Sequence, residues 1–237
     1  MKIGLNNNQL KIIAIIAMTI DHIGMALFPS IRILRIIGRI AFPIFAYMIA
    51  EGFVHTKNRV RYLLSLLFVG VVCQAVYFVV TKSLYANIIL AFAVSVAVML
   101  CIENYRKKSN ILSATALIAC AIAVVLALTV LPTYVKGFRF DYGAAGILLP
   151  VMIYLMPTKR EKILCLAIML IVISSYSART QWYCLISVPL LALYNGERGK
   201  LKLKYLFYIF YPVHLGVIYI IKLLMEGRLL SWLTGAG

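Results

Sequence analysis

Two adjacent ionisable residues, Asp21 and His22, interrupt the apolar stretch IIAIIAMTIDHIGMALF near the start of the chain. An imidazole is the side chain best suited to accept a proton near neutral pH, so His22 is a candidate general base. Residues i and i+1 point roughly 100° apart on a helix, so we expect Asp21 to pair with another group and not to orient His22 directly. The segment that follows offers three partners on one helical face, namely Arg32, Arg35 and Arg39.

The spacing between Lys11 and His22 places a basic group and an imidazole on the same face of one helix. Eleven residues are close to three turns of α-helix and rise about 16 Å. Ionisable residues within membrane-spanning segments are costly and generally face a cavity or the interior of the helix bundle. We therefore predict His22 and Asp21 as catalytic residues. The alternative is that Asp21 and its arginines form a structural ion pair beside an inert His22.

Further polar residues within apolar segments complete the predicted site. In GRIAFPIFAYMIAEGF, Arg39, Tyr47 and Glu51 are spaced to lie loosely on one side of a helix. The other candidates for a substrate pocket are Arg35, Gln74, Asn87, Asp141, Tyr211 and His214. Each of these polar residues could instead make a satisfied hydrogen bond between helices. The remaining expectations are a surface position for His55 and a pairing of Lys222 with Glu226.

The composition determines the environment of these residues. Hydrophobic residues make up 64% of the 237 positions and charged residues only 13%, with a mean hydropathy of +0.98; soluble domains carry about 25% charged residues. Apolar segments of about 17 to 20 residues, long enough to cross a hydrocarbon core of roughly 30 Å, recur along the chain. We predict one all-α domain over residues 1–237, a polytopic transmembrane helix bundle. Its spans number about nine, with ten left open, near residues 10–28, 38–54, 62–81, 84–102, 111–131, 141–156, 163–178, 181–195 and 205–224.

The net charge of +17 follows from the way basic residues alternate between the two ends of the predicted spans. Fifteen of the 24 lysines and arginines fall in loops on one side, and nine fall on the other. Because positively charged loops stay in the cytoplasm, we predict a cytoplasmic N-terminus and an external C-terminus. The charges form no continuous basic stripe, which argues against nucleic-acid binding. The five cysteines lack a CxxC spacing and are interpreted as small hydrophobic residues, and no metal site is expected.

Four stretches of the chain resemble the TraX family: LKIIAIIAMTIDHIG, LRIIGRIAFPIFAYMIAEGF, FDYGAAG and YLFYIFYPVHL. The resemblance runs from residue 9 to 222, and DHxG followed by GRxAFPxFxY is its most specific part. TraX proteins are small polytopic bacterial membrane proteins, named for the one that acetylates conjugative pilin. They are distantly similar to glycan O-acyltransferases and to heparan-α-glucosaminide N-acetyltransferase. Lys11 stands where the glycan acyltransferases usually have an arginine, which keeps the charge but loses bidentate phosphate binding.

The resemblance implies an acetyltransferase of the bacterial cytoplasmic membrane that uses acetyl-CoA from the cytoplasm as its donor. The acceptor would be an amine or hydroxyl on the outer side, in a peptide N-terminus, an amino sugar or a glycan. The nucleotide phosphates would bind a basic rim formed by Lys11, Lys57, Arg59 and Arg61. His22 would act as the general base or be transiently acetylated, while Arg39, Asp21 and Asp141 order the outer pocket.

Two other classes of function remain open at the level of sequence. A transporter or proton-coupled permease would also place His and Asp on a polar path, although the chain lacks repeated halves and paired broken helices. A non-catalytic membrane assembly factor is the third reading. The acceptor, the choice between N- and O-acylation, the order of the chemical steps and whether the protein forms a homodimer are likewise undetermined by sequence.

Overall fold

The helices form one bundle, with two very short strands at one of its ends. The computed structural model describes residues 4–200 and 204–227. Its elements are α1 Asn7–Ala26, α2 Arg32–Gly38, α3 Ala41–His55, α4 Arg59–Thr81, β1 Tyr85–Ala86, α5 Ile88–Lys108, α6 Ile111–Thr129, α7 Leu131–Tyr134, β2 Arg139–Phe140, α8 Gly143–Leu155, α9 Lys159–Ser175, a 3₁₀ helix Arg179–Ile186, α10 Ser187–Ala192 and α11 Lys204–Met225. The predicted all-α class is therefore correct.

Five segments of the described chain are long and apolar enough to cross a membrane. They are Asn7–Ala26, Arg32–His55, Arg59–Val79, Ile88–Lys108 and Ile111–Tyr134, and the shorter apolar helices include Gly143–Leu155 and Ile209–Met225. Each of the nine predicted spans overlaps at least one helix, while the number that crosses the membrane stays a prediction. The chain is thus a membrane protein built from apolar helices.

Asparagine and threonine side chains fix where several helices begin. Asn6, Asn110 and Thr158 form reciprocal capping boxes at the starts of α1, α6 and α9, and Asn58 accepts a hydrogen bond from the Arg61 amide at the start of α4. Such caps satisfy amide groups that have no partner within the helix. These four helices begin at the same end of the bundle, which is named here the N-terminal end; the other is the opposite end.

The eighth predicted span departs from a regular α-helix. Residues 181–192 lie instead in the 3₁₀ helix and the short α10, and residues 193–195 follow them outside any helix. Pro189 lies inside α10, and its missing amide hydrogen removes one α-helical hydrogen bond to the preceding turn, which is 3₁₀ here. Pro150 and Pro212 also lie within helices, α8 and α11, as predicted.

The core is centred on α3, which packs against α1, α5 and α8. Its residues Ile44, Tyr47, Ala50 and Phe53 are almost completely buried. By contrast, α6 lies at the periphery and exposes most of its apolar side chains, as expected for a helix that faces lipid.

Short parallel pairings tie loops together at both ends. At the opposite end, β1 pairs with β2, with Tyr85 opposite Arg139. At the N-terminal end, Leu5 donates to the Leu193 carbonyl and accepts from the Asn195 amide. These pairings position the loops before α5, α8 and α11, which carry several of the predicted site residues.

Candidate functional site

The carboxylate of Asp21 is clamped by two arginines at the opposite end of the bundle. Its Oδ2 accepts a hydrogen bond from Arg35 Nη1 at 2.6 Å, and its Oδ1 accepts one from Arg39 Nη2 at 2.7 Å. Bonds between two charged groups are the strongest class of side-chain hydrogen bond. The predicted pairing is therefore confirmed for Arg35 and Arg39, whereas Arg32 is exposed at the start of α2.

The guanidinium of Arg39 joins four parts of the chain. Besides Asp21, its Nη1 donates to Gln181 Oε1 at 3.2 Å and to the Tyr142 hydroxyl at 3.4 Å, and its Nε donates to the Arg35 carbonyl at 3.2 Å. The group thus connects α1, α2, the start of α8 and the 3₁₀ helix. Sequence reasoning missed Tyr142 and Gln181; Tyr142 lies inside FDYGAAG, while Gln181 carries no recognisable signal.

Two glycines allow α2 to lie close enough for the Asp21 clamp to form. A Cβ on Gly38 would overlap the Cβ and Oδ1 of Asp21, and a Cβ on Gly24 would come within 2.6 Å of the Leu34 Cβ. Close approach of two helices favours small residues where their backbones meet. The glycines of DHxG and of GRxAFPxFxY therefore have a steric role in placing the charged residues beside them.

The imidazole of His22 forms a pair with that of His214. His22 Nδ1 lies 2.8 Å from His214 Nε2, and the two rings lie edge to edge and nearly coplanar, with their planes 17° apart and their centroids 5.1 Å apart. His214 Nδ1 lies 3.0 Å from the Phe210 carbonyl oxygen, one turn earlier in α11. Tyr211 packs edge-on against both imidazoles, with centroid distances of 6.4 Å to His22 and 5.2 Å to His214. Both histidines were predicted as site residues, but their contact was not.

Asp141 lies beside the arginine cluster and fastens the two short strands. Its Oδ1 accepts a hydrogen bond from the Tyr85 hydroxyl at 3.0 Å. Because Asp141 directly precedes Tyr142, which accepts from Arg39, it belongs to the same end of the bundle as Asp21. The structure thus brings Asp21, Asp141 and Arg39 together as predicted.

Two of the predicted pocket residues, Gln74 and Asn87, join α4 to α5. Gln74 Oε1 accepts from the Asn87 amide and from Asn87 Nδ2, both at 3.1 Å, and Gln74 Nε2 donates to the Tyr85 carbonyl. Asn87 also caps α5 through the amides of Ile89 and Leu90. These hydrogen bonds close the loop between the helices, and a pocket role for Gln74 and Asn87 stays a prediction.

Tyr47 and Glu51 lie toward the N-terminal end, away from Arg39. The twelve residues from Arg39 to Glu51 correspond to roughly 18 Å along a helix. Glu51 Oε1 accepts from Lys162 Nζ at 2.6 Å, and Tyr47 packs edge-on against Tyr194. Tyr47 and Glu51 are thus separated from Arg39 along the helix, while Glu51 lines the same cavity as Tyr211, and the role of these residues in a substrate pocket stays a prediction. His55, one turn beyond Glu51, is exposed as predicted.

A cavity of about 660 Å³ opens at the N-terminal end and reaches Tyr211. Its walls combine apolar side chains such as Met48, Leu66 and Phe92 with the cationic residues Lys11, Lys57, Arg61 and Arg198. The cavity thus leads from a basic mouth to the tyrosine that contacts both imidazoles. Arg198 was not predicted as a site residue; it lies close enough to Lys11 for the two charges to interact.

Arg59 points away from the predicted rim and forms an ion pair. Its Nη1 donates to Glu103 Oε1 at 3.0 Å, and its guanidinium lies 4.9 Å from the centroid of the Phe53 ring. Glu103 also accepts from the Tyr154 hydroxyl and pairs with Lys107. We therefore correct the assignment of Arg59 from the rim to a link between α4 and α5.

A second cavity, of about 460 Å³, lies on the other side of Glu51. Tyr47, Lys159, Lys162 and Tyr194 are among the residues that line it. The pair formed by Glu51 and Lys162 is therefore part of the wall between the two cavities.

At the far end of α11, Lys222 and Glu226 lie 3.8 Å apart and form the predicted pair. Over residues 4–200 and 204–227, no cluster of three or more His, Cys, Asp or Glu side chains is suited to hold a metal ion.

Comparisons with known proteins place the chain beside a family of membrane proteins. A family model described as TraX protein matches residues 6–222. A probable fimbrial assembly protein FimC, serogroup H1, of Dichelobacter nodosus is 41% identical over 73 residues, which are 29% of this chain and 30% of that protein. An uncharacterized protein of Rickettsia prowazekii (strain Madrid E) is 35% identical over 134 residues, 56% of this chain and 49% of that protein. The chain thus spans less than half the length of either relative, and no solved structure matches it.

Proposed function

The chain belongs to the TraX family, and on that premise we propose that it is a membrane-embedded acyltransferase. It would transfer an acetyl group from cytoplasmic acetyl-CoA to an amine or hydroxyl presented at the outer side of the bacterial cytoplasmic membrane. The observation that carries the proposal is the cavity that joins a basic mouth to the pair of histidines through Tyr211.

The basic mouth matches the chemistry of the donor. Coenzyme A carries a diphosphate and a 3′-phosphate, and cationic side chains hold such groups by charge-assisted hydrogen bonds. Lys57 and Arg61 are exposed at the mouth, and Arg198 adds a further charge from the loop before α11. The apolar walls beyond the mouth suit the pantetheine arm, which would extend toward Tyr211. An inward-facing N-terminal end, as the loop charges predict, would give the mouth access to cytoplasmic acetyl-CoA.

His22 is the proposed general base of the transfer. The lone pair of the acceptor nitrogen or oxygen forms a bond to the thioester carbonyl carbon, and the acceptor proton passes to an imidazole nitrogen of His22. The C–S bond then breaks with its electron pair on sulfur, and the proton returns from His22 to that thiolate. No oxidant or metal is required, and atoms and charge balance within donor, acceptor and imidazole.

The arginine cluster supplies fixed positive charge beside the imidazoles. Asp21 binds both Arg35 and Arg39, and the two guanidinium groups are thereby held close enough to His22 for their charges to act on it. A preorganised cationic group near the reacting carbonyl lowers the energy of the negative charge that develops on its oxygen. We assign this stabilising role to Arg39 and Arg35, and Asp21 holds them in place.

The acceptor proposed first is the N-terminal amine of a surface fibre subunit. The support is the name of the Dichelobacter nodosus relative, a probable fimbrial assembly protein. The same name also fits an assembly factor without catalytic activity. That second candidate function predicts binding of a fibre subunit without turnover of acetyl-CoA.

Acetyl transfer by the purified full chain in lipid nanodiscs tests the proposal. With [¹⁴C]acetyl-CoA and envelope fractions from a strain that lacks the gene, we expect the wild type to label an envelope component. His22→Ala should lower the rate by about 10²- to 10⁴-fold, the usual contribution of a positioned general base. Binding of CoA at the mouth should change little, because Lys11 and His22 are separated by about 16 Å of helix.

The controls separate the enzyme from a non-catalytic assembly factor. A wild type that binds CoA but labels no component, while retaining a fibre subunit, would support the assembly factor. A protein that neither binds CoA at millimolar concentration nor transfers acetyl would contradict the acyltransferase. Labelled acetyl retained on His22 after removal of donor would replace direct transfer by a two-step route through an acetyl-imidazole.

A further inference from the structure

The hydrogen bonds of His214 determine which nitrogen of His22 can carry a proton. The Phe210 carbonyl oxygen is only an acceptor, so His214 Nδ1, at 3.0 Å from it, must donate an N–H. A neutral His214 then has a bare Nε2, which can only accept. Its partner at 2.8 Å is His22 Nδ1, which must therefore be the donor. In a neutral His22 this arrangement leaves Nε2 without a proton.

We infer that His214 is a positioning residue that holds His22 in the Nδ1–H tautomer. His22 Nε2 is then the atom that takes the proton from the amine or hydroxyl of the acceptor substrate. When Nε2 takes that proton, His22 becomes an imidazolium whose Nδ1–H is already bonded to the lone pair of His214. The bond strengthens as charge develops, because an ionised donor forms a stronger hydrogen bond than a neutral one. The series of hydrogen bonds from the Phe210 carbonyl through His214 to His22 thus determines both the orientation and the protonation state of the His22 imidazole.

The surroundings of the pair favour this uncharged arrangement over one with two charged rings. His214 is buried at 6% exposure, and the guanidinium groups of Arg35 and Arg39 lie close enough to His22 for their charges to act on it. An isolated buried cation is costly in a medium of low polarity. Phe210 stacks on His214 with centroids 5.1 Å apart, and Tyr211 meets both imidazoles edge-on, which fixes the ring planes.

The effect of the tautomer on catalysis rests on the proposed function, but the tautomer itself does not. It is measured by ¹⁵N NMR of full-length protein labelled at histidine, in nanodiscs without any substrate. The chain has only three histidines, so His55→Gln and His22→Gln assign the signals. We expect His22 and His214 each to show a protonated Nδ1 and an unprotonated Nε2. A His22 that carries its proton on Nε2 in the wild type would overturn the inference.

A matched pair of substitutions separates positioning from packing. His214→Gln places a carbonyl oxygen where it can accept from His22 Nδ1, whereas His214→Leu fills similar space without an acceptor. We expect the Gln variant to keep the Nδ1–H signal of His22 and the Leu variant to shift it toward the Nε2–H form. If the Leu variant does not fold, the wild-type and Gln spectra still decide the question.

Acetyl transfer provides the second readout for the same variants. His214→Leu should lower kcat by on the order of 10²-fold, the lower range for loss of general-base catalysis, with KM for acetyl-CoA nearly unchanged. His214→Gln should recover most of that loss. Equal losses in both folded variants would overturn the positioning role. An absence of transfer in the wild type, with the expected NMR tautomers, would instead reject the proposed function and leave the inference about His22 intact.

Discussion

At the residue scale, the buried charge of Asp21 is supported by two cations and by the close packing that brings them near. Its side chain is only 15% exposed, yet each carboxylate oxygen accepts a bond from a different arginine. Removing one partner of such a group leaves an uncompensated charge, at a cost of about 3–5 kcal/mol. The clamp therefore depends on how closely α2 approaches α1, and that approach depends on Gly38.

Gly38→Ala tests whether close packing positions the clamp. The new Cβ would overlap Asp21 Cβ and Oδ1, so α2 must move away from α1 or Asp21 must leave its arginines. We expect the free energy of unfolding in detergent solution to fall by a few kcal/mol, as it does when a well-packed interior is overpacked. Acetyl transfer should be lost as well. The measurement is the unfolding midpoint followed by circular dichroism, together with the transfer assay.

Gly216→Ala is the matched control, because it makes the same change of side chain in a helix. Apart from the neighbouring backbone of its own helix, no atom of the described residues lies within 4 Å of a Cβ at Gly216, and alanine favours a helix over glycine by up to about 1 kcal/mol. The control should therefore be as stable as the wild type or slightly more stable. Equal destabilisation by both substitutions would show that the region tolerates no methyl group and that Gly38 has no special role.

Sequence reasoning identified the charged residues of the site more readily than their contacts. Asp21 and its arginines are close in the chain, so helix periodicity was sufficient to predict their pairing. His22 and His214 are 192 residues apart, and only the packing of α11 against α1 brings them together. Gln181 was missed because an amide side chain in a short 3₁₀ helix follows no periodic pattern.

At the element scale, the start of α4 shows how one turn of helix can separate two roles. Arg59 and Arg61 are two residues apart, which is about 200° around a helix, so their side chains leave opposite faces. Arg61 lines the cavity, whereas Arg59 pairs with Glu103 on α5. The basic sequence KNRVR predicted a positively charged rim, but it could not show which of its two arginines lies there.

Separate alanine substitutions of these arginines test that division. We expect Arg61→Ala to raise the apparent KM for acetyl-CoA by roughly tenfold, since a hydrogen bond to a charged group contributes about 1.5–3 kcal/mol. Turnover at saturating donor should be largely unchanged, as for the loss of a binding interaction common to ground and transition states. Arg59→Ala should leave KM within about twofold and lower the stability by about 1 kcal/mol, through loss of the Glu103 pair.

Steady-state kinetics at two ionic strengths complete that measurement. Exposed charges are screened over about 8 to 10 Å, so added salt should raise the wild-type KM and have less effect on Arg61→Ala. If KM rises equally in the Arg59 and Arg61 variants, the structural division between rim and link is contradicted. If KM rises in neither, Arg61 serves only to set topology and Arg198 becomes the remaining arginine of the mouth.

At the scale of the whole molecule, the fold places the loops that are rich in basic residues at the N-terminal end of the bundle and the loops with fewer basic residues at the opposite end. At the N-terminal end, Lys57 follows α3, Lys108 ends α5 and Lys159 begins α9, while Lys82 and Lys136 lie in loops at the opposite end. Among the residues that entered the charge count, Lys2, Lys202 and Arg228 lie outside the described residues, and the side chain of Lys204 is likewise not described. Alternating loops made the bundle predictable from sequence. The cavity was not predictable, since it depends on how five elements pack around one space.

Cysteine labelling in intact cells tests the orientation that the mechanism requires. The positive-inside rule places Lys108 in the cytoplasm and Lys136 outside, and both residues are exposed at helix ends or in loops. Lys136→Cys should react with a membrane-impermeant maleimide in intact spheroplasts, whereas Lys108→Cys should react only after the membrane is opened with detergent. The five native cysteines are buried or half-buried, so they should give a low background, which the unsubstituted protein measures.

Reaction of Lys108→Cys in intact spheroplasts would reverse the topology. The basic mouth would then face away from cytoplasmic acetyl-CoA, and the proposed direction of transfer would fail even though the histidine pair and the cavity remained in place.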